Sequence, residues 1–173
     1  MIKEVIQNAI NTQIAREIYS SNLYLSMAGY YTTKNLHGFA NWMRIQAEEE
    51  MTHALKFFDY LLDRGGKPVL AAIAAPPSEW TNPVKVFEDA YHHEQLVTSW
   101  IHELADLAIT ERDHATSSML KWFIDEQVEE EATTGEIYDR FVMVGDNPTA
   151  LFFLDNELKA RKAAPAADAK SAK

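Results

Sequence analysis

Four glutamates stand near the middle of four helix-length segments, each on a stripe of apolar residues that should face the core of a helix bundle. They are Glu17, Glu50, Glu94 and Glu130. A buried carboxylate is costly unless a cation or hydrogen-bond donors compensate its charge, and no lysine or arginine lies on the predicted stripes. Two divalent cations would balance the charge of four ionised glutamates. The pattern therefore predicts a site for two metal ions.

Two further side chains extend this predicted site. His53 stands one helical turn after Glu50, and Gln127 stands one turn before Glu130. Residues three apart lie on the same face of a helix. Carboxylates combined with one imidazole suit iron, manganese or zinc, and a carboxylate can bridge two ions. A single Glu-x-x-His pair often arises by chance, but three more glutamates at the same level make it strong evidence for a metal centre.

Three other glutamates flank these positions. Glu49 adjoins Glu50, and Glu126 and Glu129 lie within about one turn of Glu130. They could form an additional cation site at the edge of the first, or they could be ordinary solvated charges, and the spacing alone does not decide between the two. Other helical glutamates are predicted to face solvent, namely Glu48, Glu103, Glu111 and Glu136.

Two aromatic residues and five histidines lie near the predicted site or on the same helices. Tyr24 lies two turns after Glu17 on the same track, so its ring should be in the core with its hydroxyl free to bind a ligand carboxylate. Trp122 is predicted to pack near the start of its helix, with a redox role as the alternative. Five histidines are predicted to be surface or capping residues: His37, His92, His93, His102 and His114.

Helical spacing runs from the start of the chain to about residue 159 and predicts the elements that position these residues. The predicted helices cover residues 4–33, 38–64, 83–111, 114–144 and 147–159. Gly38, Gly65-Gly66 and Gly145 fall at the predicted breaks, and Asn147-Pro148 is typical of a helix start. We predict one domain over residues 1–160, followed by a disordered tail over 161–173 that is rich in Ala, Lys and Asp.

The lengths of the connections predict the topology. The first and second helices, and likewise the third and fourth, are joined by a few residues and should form antiparallel hairpins. The connection from Gly65 to Asn82 is long enough to run the length of the bundle, which makes the second and third helices parallel. The predicted fold class is all-α: a four-helix bundle with one long crossover and a short fifth C-terminal helix.

Composition excludes several classes of function. The chain has 173 residues and no cysteine, so disulfides, iron–sulfur clusters and cysteine nucleophiles are excluded. A net charge of −10 argues against binding to nucleic acid or to an anionic membrane. No apolar run is long enough to span a bilayer, and the first residues lack the pattern of a signal peptide, so we expect a cytoplasmic protein.

Two segments carry more apolar residues than one bundle core should use. We expect them to be buried against other subunits of a large homo-oligomer. In the first helix they are Ile18, Tyr19, Leu23, Leu25, Met27 and Tyr30, and in the fifth Leu151, Phe152, Phe153, Leu154 and Leu158.

The chain resembles the bacterial and archaeal non-haem ferritins over roughly residues 1–160. The resemblance is carried by Glu17-Ile18-Tyr19-Ser20 with Tyr24, by the run 48–53, by His93-Glu94-Gln95, and by Trp122 with the run 126–131. It implies a ferritin-like di-iron protein that oxidises Fe(II) with dioxygen or peroxide and stores ferric mineral inside a cage of 24 subunits.

Bacterioferritins carry a second Glu-x-x-His where this chain has Gln127-x-x-Glu130. Met51 matches their haem ligand, but other ferritins without haem also have it, so we expect no haem.

By position, the resemblance implies three iron sites. The first consists of Glu17, Glu50 and His53; the second of Glu50 as a bridge, Glu94 and Glu130, with Gln127 nearby; the third, accessory site of Glu49, Glu126, Glu129 and Glu130. Two alternatives stay open: a structural or binding bundle that metals merely stabilise, and a di-iron oxidase that forms no cage.

Overall fold

Five α-helices are the regular elements of residues 2–145 and 147–163, the part of the chain that the computed structural model describes. They are α1 (Glu4–Thr33), α2 (His37–Asp63), α3 (Pro83–Thr110), α4 (His114–Val144) and α5 (Pro148–Leu158). The predicted fold class is confirmed, and every predicted helix boundary lies within one residue of the observed one. None of these helices is both long enough and apolar enough to cross a membrane. Of the predicted tail, residues 164–173 lie outside the described part.

Local side chains account for three of the helix starts. Asn82 accepts a hydrogen bond from the backbone N–H of Lys85 at the start of α3, and Asp113 accepts one from Thr116 at the start of α4. Asn147 caps α5 by accepting from two backbone N–H groups, and Pro148 follows it, as predicted. Such caps satisfy N–H groups that have no partner within the helix.

The predicted role of Gly38 as a helix break is wrong. The left-handed backbone between α1 and α2 belongs to Asn35, with φ of 59°, and Gly38 lies inside the first turn of α2. A Cβ at Gly38 would overlap the main-chain oxygen of Asp155 in α5, so glycine is needed there for close helix packing. Gly65 and Gly145 do have positive φ values and end α2 and α4, as predicted.

Ring contacts at the two ends of the bundle establish the direction of the helices. The Phe39 ring lies 4.6 Å from that of Phe141, and the Phe57 ring lies 4.0 Å from that of Phe123, so α2 and α4 are antiparallel. The Phe39 ring also lies 5.8 Å from that of Phe87 near the start of α3. At the other end of α2, Arg64 pairs with Asp113 just after α3, so α2 and α3 are parallel. Residues 64–82 therefore form the predicted long crossover.

The core is divided into two apolar clusters. One cluster contains Phe39, Met43, Phe87 and Phe141 with their neighbours, and the other contains Ile10, Phe57, Ile101 and Phe123 with theirs. Between them lies a polar layer to which each of the four long helices contributes one buried glutamate.

The expected subunit contacts need a correction. Leu23, Met27 and Tyr30 are buried within the subunit itself, and so are Leu154 and Leu158, because α1 and α5 pack on α2 and its neighbours. Of the expected interface residues, those that remain exposed are Leu25, Phe152 and Phe153.

Candidate metal centre

The four predicted glutamates meet in one layer of the bundle. Glu17, Glu50 and Glu94 are at most 1% exposed, and Glu130 is 7% exposed. His53 and Gln127 are also buried in this layer. Heptad spacing explains this arrangement, since each residue continues an apolar stripe of its helix.

Glu17, Glu50 and His53 come closest together. One ligand atom from each lies within 4.8 Å of the other two. Among the described residues, this is the one group of three metal-ligating side chains that meets this distance. Metal–oxygen and metal–nitrogen bonds of about 2.0–2.2 Å place two donors of one ion up to about 4.4 Å apart. The three side chains therefore fit a single ion with small movements.

Glu17 carries a buried acceptor that has no protein partner. Its Oε1 accepts a hydrogen bond from Gln13 Nε2 at 2.7 Å, whereas its Oε2 is buried without a hydrogen bond. Buried polar atoms are nearly always satisfied. A cation beside Oε2 would satisfy it, so the donor set fits a metal ion.

The other two glutamates are held by hydrogen-bond donors. The Tyr24 hydroxyl donates to Glu94 Oε1, as predicted, and Gln127 Nε2 donates to Glu94 Oε2 at 3.2 Å. Gln46 Nε2 donates to Glu130 Oε2 at 2.7 Å and to Glu50 Oε1 at 3.4 Å. One amide group thus bridges Glu50 and Glu130.

Burial changes the acid–base behaviour of the layer. The pKa of each of the four glutamates is raised from 4.5 to about 8, first by desolvation and then by the neighbouring carboxylates. Near neutral pH the metal-free layer therefore retains protons. A divalent cation must displace them, since metal ligands bind in their deprotonated form.

Comparison with known proteins identifies the family. The family model described as "Ferritin-like domain" matches residues 7–144. The chain is 45% identical over 161 residues to a protein of Bacteroides fragilis named "Bacterial non-heme ferritin", covering 93% of this chain and 100% of the relative. A protein of the same name from Escherichia coli is 37% identical over 158 residues, covering 91% and 96%. The chain belongs to the prokaryotic non-haem ferritins. Membership confirms the iron-storage function that the resemblance implied.

Solved structures agree with this. An engineered closed form of Archaeoglobus fulgidus ferritin is 48% identical to this chain, with a TM-score of 0.94. The match covers 95% of this chain and 100% of the archaeal chain. The open pore ferritin of the same archaeon is also 48% identical, with a TM-score of 0.93 and coverage of 94% and 100%. The fold of this ferritin is therefore shared over nearly its whole described length.

The three glutamates predicted to flank the centre occupy different environments in this ferritin. Glu49 is half-buried and forms an ion pair with Arg161 at 2.5 Å. Glu126 is half-buried and Glu129 is exposed. Trp122 is 37% exposed. The Trp122 ring centroid lies 5.4 Å from that of His53, so the partly exposed Trp122 ring packs against the buried His53 ring.

Sequence reasoning missed three residues around the site. Gln13 and Gln46 each stand four residues before a buried glutamate and donate to it. This spacing was visible in the sequence and could have identified both. The interpretation of His93 as a surface residue is wrong, because it is 7% exposed and its Nε2 lies 2.8 Å from Ser20 Oγ. The other four histidines are exposed, as predicted.

Proposed function

We propose that the polar layer is a ferroxidase centre that binds two Fe(II) ions within one subunit and oxidises them. The observation that carries the proposal is the approach of Glu17, Glu50 and His53 to within 4.8 Å, with one buried carboxylate oxygen left without a partner. The ferric product is stored as mineral inside a multi-subunit shell.

The residues divide into two adjacent ion positions. Glu17, Glu50 and His53 bind the first Fe(II). Glu50 also reaches the second ion as a bridge, together with Glu94 and Glu130. Gln127, which donates to Glu94, holds that carboxylate in place. A third, accessory position uses Glu130 with the three flanking glutamates, namely Glu49, Glu126 and Glu129.

Two irons side by side permit a two-electron reaction. Each Fe(II) loses one electron, and dioxygen takes both electrons and two protons to form hydrogen peroxide. Peroxide can serve as the oxidant in place of dioxygen, in which case it is reduced to water. Paired transfer avoids superoxide, the product of one-electron reduction. The hydrogen bonds from Gln13, Gln46 and Tyr24 hold the carboxylates near their binding positions before iron arrives.

For the assembly we propose a hollow homo-oligomer of 24 subunits in the cytoplasm. The support comes from family membership and from the exposed apolar residues of the subunit, which include Leu25, Phe152 and Phe153. The Archaeoglobus fulgidus ferritin has an open pore and its engineered variant a closed form, so the shell of one ferritin can be changed by mutation.

Iron loading tests storage. We expect that Fe(II) added in excess in air will co-migrate with a cage-sized peak on a size-exclusion column, at far more than three ions per chain. Two or three ions per chain in a small species would instead support a di-iron oxidase without a cage. Metal-dependent melting without oxygen consumption would support a bundle that metals merely stabilise.

Substitutions test the centre itself. We expect Glu50→Ala and His53→Ala to abolish fast Fe(II) oxidation in stopped-flow measurements while leaving the oligomer assembled. Glu48→Ala is the matched control, since Glu48 is an exposed glutamate on the same helix. Oxidation rates unchanged by both site variants would contradict the assignment.

A further inference from the structure

Just after α5, Arg161 contacts α2 beside the metal centre. The Asp155 carboxylate accepts hydrogen bonds from the backbone N–H groups of Gly38 and Phe39, at 2.8 and 3.1 Å. Three residues after α5 ends, the carbonyl oxygen of Arg161 accepts from the Asn41 side chain at 3.2 Å. These contacts bring a positively charged side chain to the edge of the acidic layer.

Arg161 is fixed there by several contacts. Both of its Nη atoms donate to Gln46 Oε1 at 3.0 Å, and one also donates to the carbonyl oxygen of Trp42 at 3.3 Å. The guanidinium carbon lies 4.4 Å from the centre of the Trp42 ring. The side chain is 22% exposed and pairs with Glu49 Oε2 at 2.5 Å. Such a charge-assisted pair is among the stronger hydrogen bonds.

The contact with Gln46 has a consequence inside the layer. Arginine can only donate hydrogen bonds, so the Gln46 oxygen must face Arg161 and its NH₂ group must face the glutamates. That NH₂ group donates to Glu130 at 2.7 Å, and Gln46 is fully buried. Arg161 thus touches one glutamate of the accessory position directly and reaches a second one through Gln46.

We propose that Arg161 is the resident counter-ion of the accessory position and that it competes with a metal cation for the Glu49 carboxylate. This inference rests on the proposed function, in which Glu49 and Glu130 both serve the third ion. The guanidinium already neutralises the Glu49 carboxylate through Oε2, so a metal ion on this carboxylate would have to bind beside a positive charge. Arg161 therefore weakens binding of the third ion without contacting Glu17 or His53, two of the ligands of the inner pair.

Titration of the assembled, metal-free protein with Co(II) tests this proposal. Co(II) is not oxidised under these conditions, and its visible absorption reports each binding event separately from iron oxidation. We expect Arg161→Gln to tighten binding of the third ion by about tenfold, which corresponds to about 1.4 kcal/mol. Arg161→Lys keeps the positive charge, so we expect its third-ion affinity to stay within about threefold of the unmodified protein.

Arg140→Gln is the matched control. Arg140 lies on α4 and forms an ion pair with Glu157 of α5 at 2.5 Å. Its substitution removes one positive charge, as Arg161→Gln does, at a residue that does not contact the centre. We expect unchanged affinity for the third ion. If Arg161→Gln has no effect on that affinity, or the same effect as Arg140→Gln, Arg161 is not the counter-ion of this position.

The same titration separates this inference from the proposed function. Failure of the inner pair to bind Co(II) would contradict the ferroxidase centre itself. Normal filling of the inner pair, with a third-ion affinity that does not respond to Arg161→Gln, would overturn the role of Arg161 alone.

Discussion

Protons and metal ions compete for the same carboxylate oxygens in this centre. Desolvation and mutual repulsion raise the pKa of Glu17, Glu50, Glu94 and Glu130 to about 8, while the unfolded chain should titrate near 4.5. Between these values the folded metal-free protein binds more protons than the unfolded chain does. Its stability must therefore fall as the pH rises through this window.

The first prediction concerns this pH dependence. We expect the metal-free protein to melt at a lower temperature at pH 8 than at pH 5.5. One pKa unit corresponds to about 1.4 kcal/mol, so the loss should amount to at least a few kcal/mol in unfolding free energy. Added Co(II) should reverse the loss at pH 8, because a ligand that binds only the folded state stabilises it.

A carboxyl-to-amide substitution provides the control for this prediction. Glu94→Gln keeps the shape of the side chain and removes one titrating group, so it should reduce the slope of melting temperature against pH. A melting temperature that stays level or rises between pH 5.5 and 8 in the metal-free protein would contradict the raised pKa values.

The second prediction concerns the buried His93. Ser20 Oγ lies 2.8 Å from His93 Nε2 and 3.1 Å from the carbonyl oxygen of Arg16, so this hydroxyl is the hydrogen-bond partner of the buried ring nitrogen. Burial lowers the pKa of His93 to about 4, which keeps the ring neutral. Ser20→Ala would leave this buried ring nitrogen without its hydrogen-bond partner, and we expect a loss of about 1–3 kcal/mol in denaturant unfolding.

Ser99→Ala is the comparison for Ser20→Ala. The Ser99 hydroxyl is exposed and donates to a carbonyl of its own helix, so its removal should change stability by less than about 0.5 kcal/mol. Equal effects of the two substitutions would show that the contact between Ser20 and His93 contributes nothing.

Heptad spacing explains which site residues were predictable. It determines which side chain faces the core, so Glu17, Glu50, Glu94 and Glu130 could be assigned to one layer from the sequence. His93 lies outside the stripe of α3, next to Glu94, and is covered by side chains of α1. That cover depends on how two helices pack and is not encoded in the spacing of either one.

At the level of the helices, α5 is positioned by contacts distant in sequence. Its start was predictable from Asn147-Pro148, but its place on α2 depends on the contact between Gly38 and Asp155. Likewise, Asn35 and Arg112 form the turns after α1 and α3 with positive φ values, although neither is glycine. Turn and docking geometry therefore had to come from the structure.

The third prediction tests the docking of α5. We expect Gly38→Ala to push α5 away from α2, because the added methyl group would overlap the main-chain oxygen of Asp155. Displacement would expose Leu154 and Leu158, which should appear as faster proteolysis between α4 and α5 and a lower melting temperature.

Gly29→Ala is the control for this prediction. It adds the same methyl group within α1, where no atom lies within 4 Å of the new Cβ. Alanine is favoured over glycine by about 0.5–1 kcal/mol inside a helix, so cleavage should not increase. Intact α5 docking in Gly38→Ala would contradict the observed packing of Gly38.

For the whole molecule, α2 and the crossover carry exposed apolar side chains of the kind that pack between subunits. Leu55 and Leu62 lie one heptad apart on α2 and are 54% and 52% exposed. Val69 and Leu70 in the crossover are also exposed, by 52% and 66%. An apolar surface of this kind favours burial against another subunit.

The last prediction separates oxidation from storage. The proposed ligands of the inner pair all come from one chain, so the centre does not need a partner subunit, whereas a mineral core needs the assembled shell. We expect the double variant Leu55→Glu/Leu62→Glu to give small species by native mass spectrometry. These should still oxidise about two Fe(II) per chain rapidly, but further iron should precipitate. Lys121→Glu changes the net charge by the same amount at an exposed polar residue and should leave both assembly and storage intact. Small species that retain hundreds of irons per chain would show that storage does not depend on a shell.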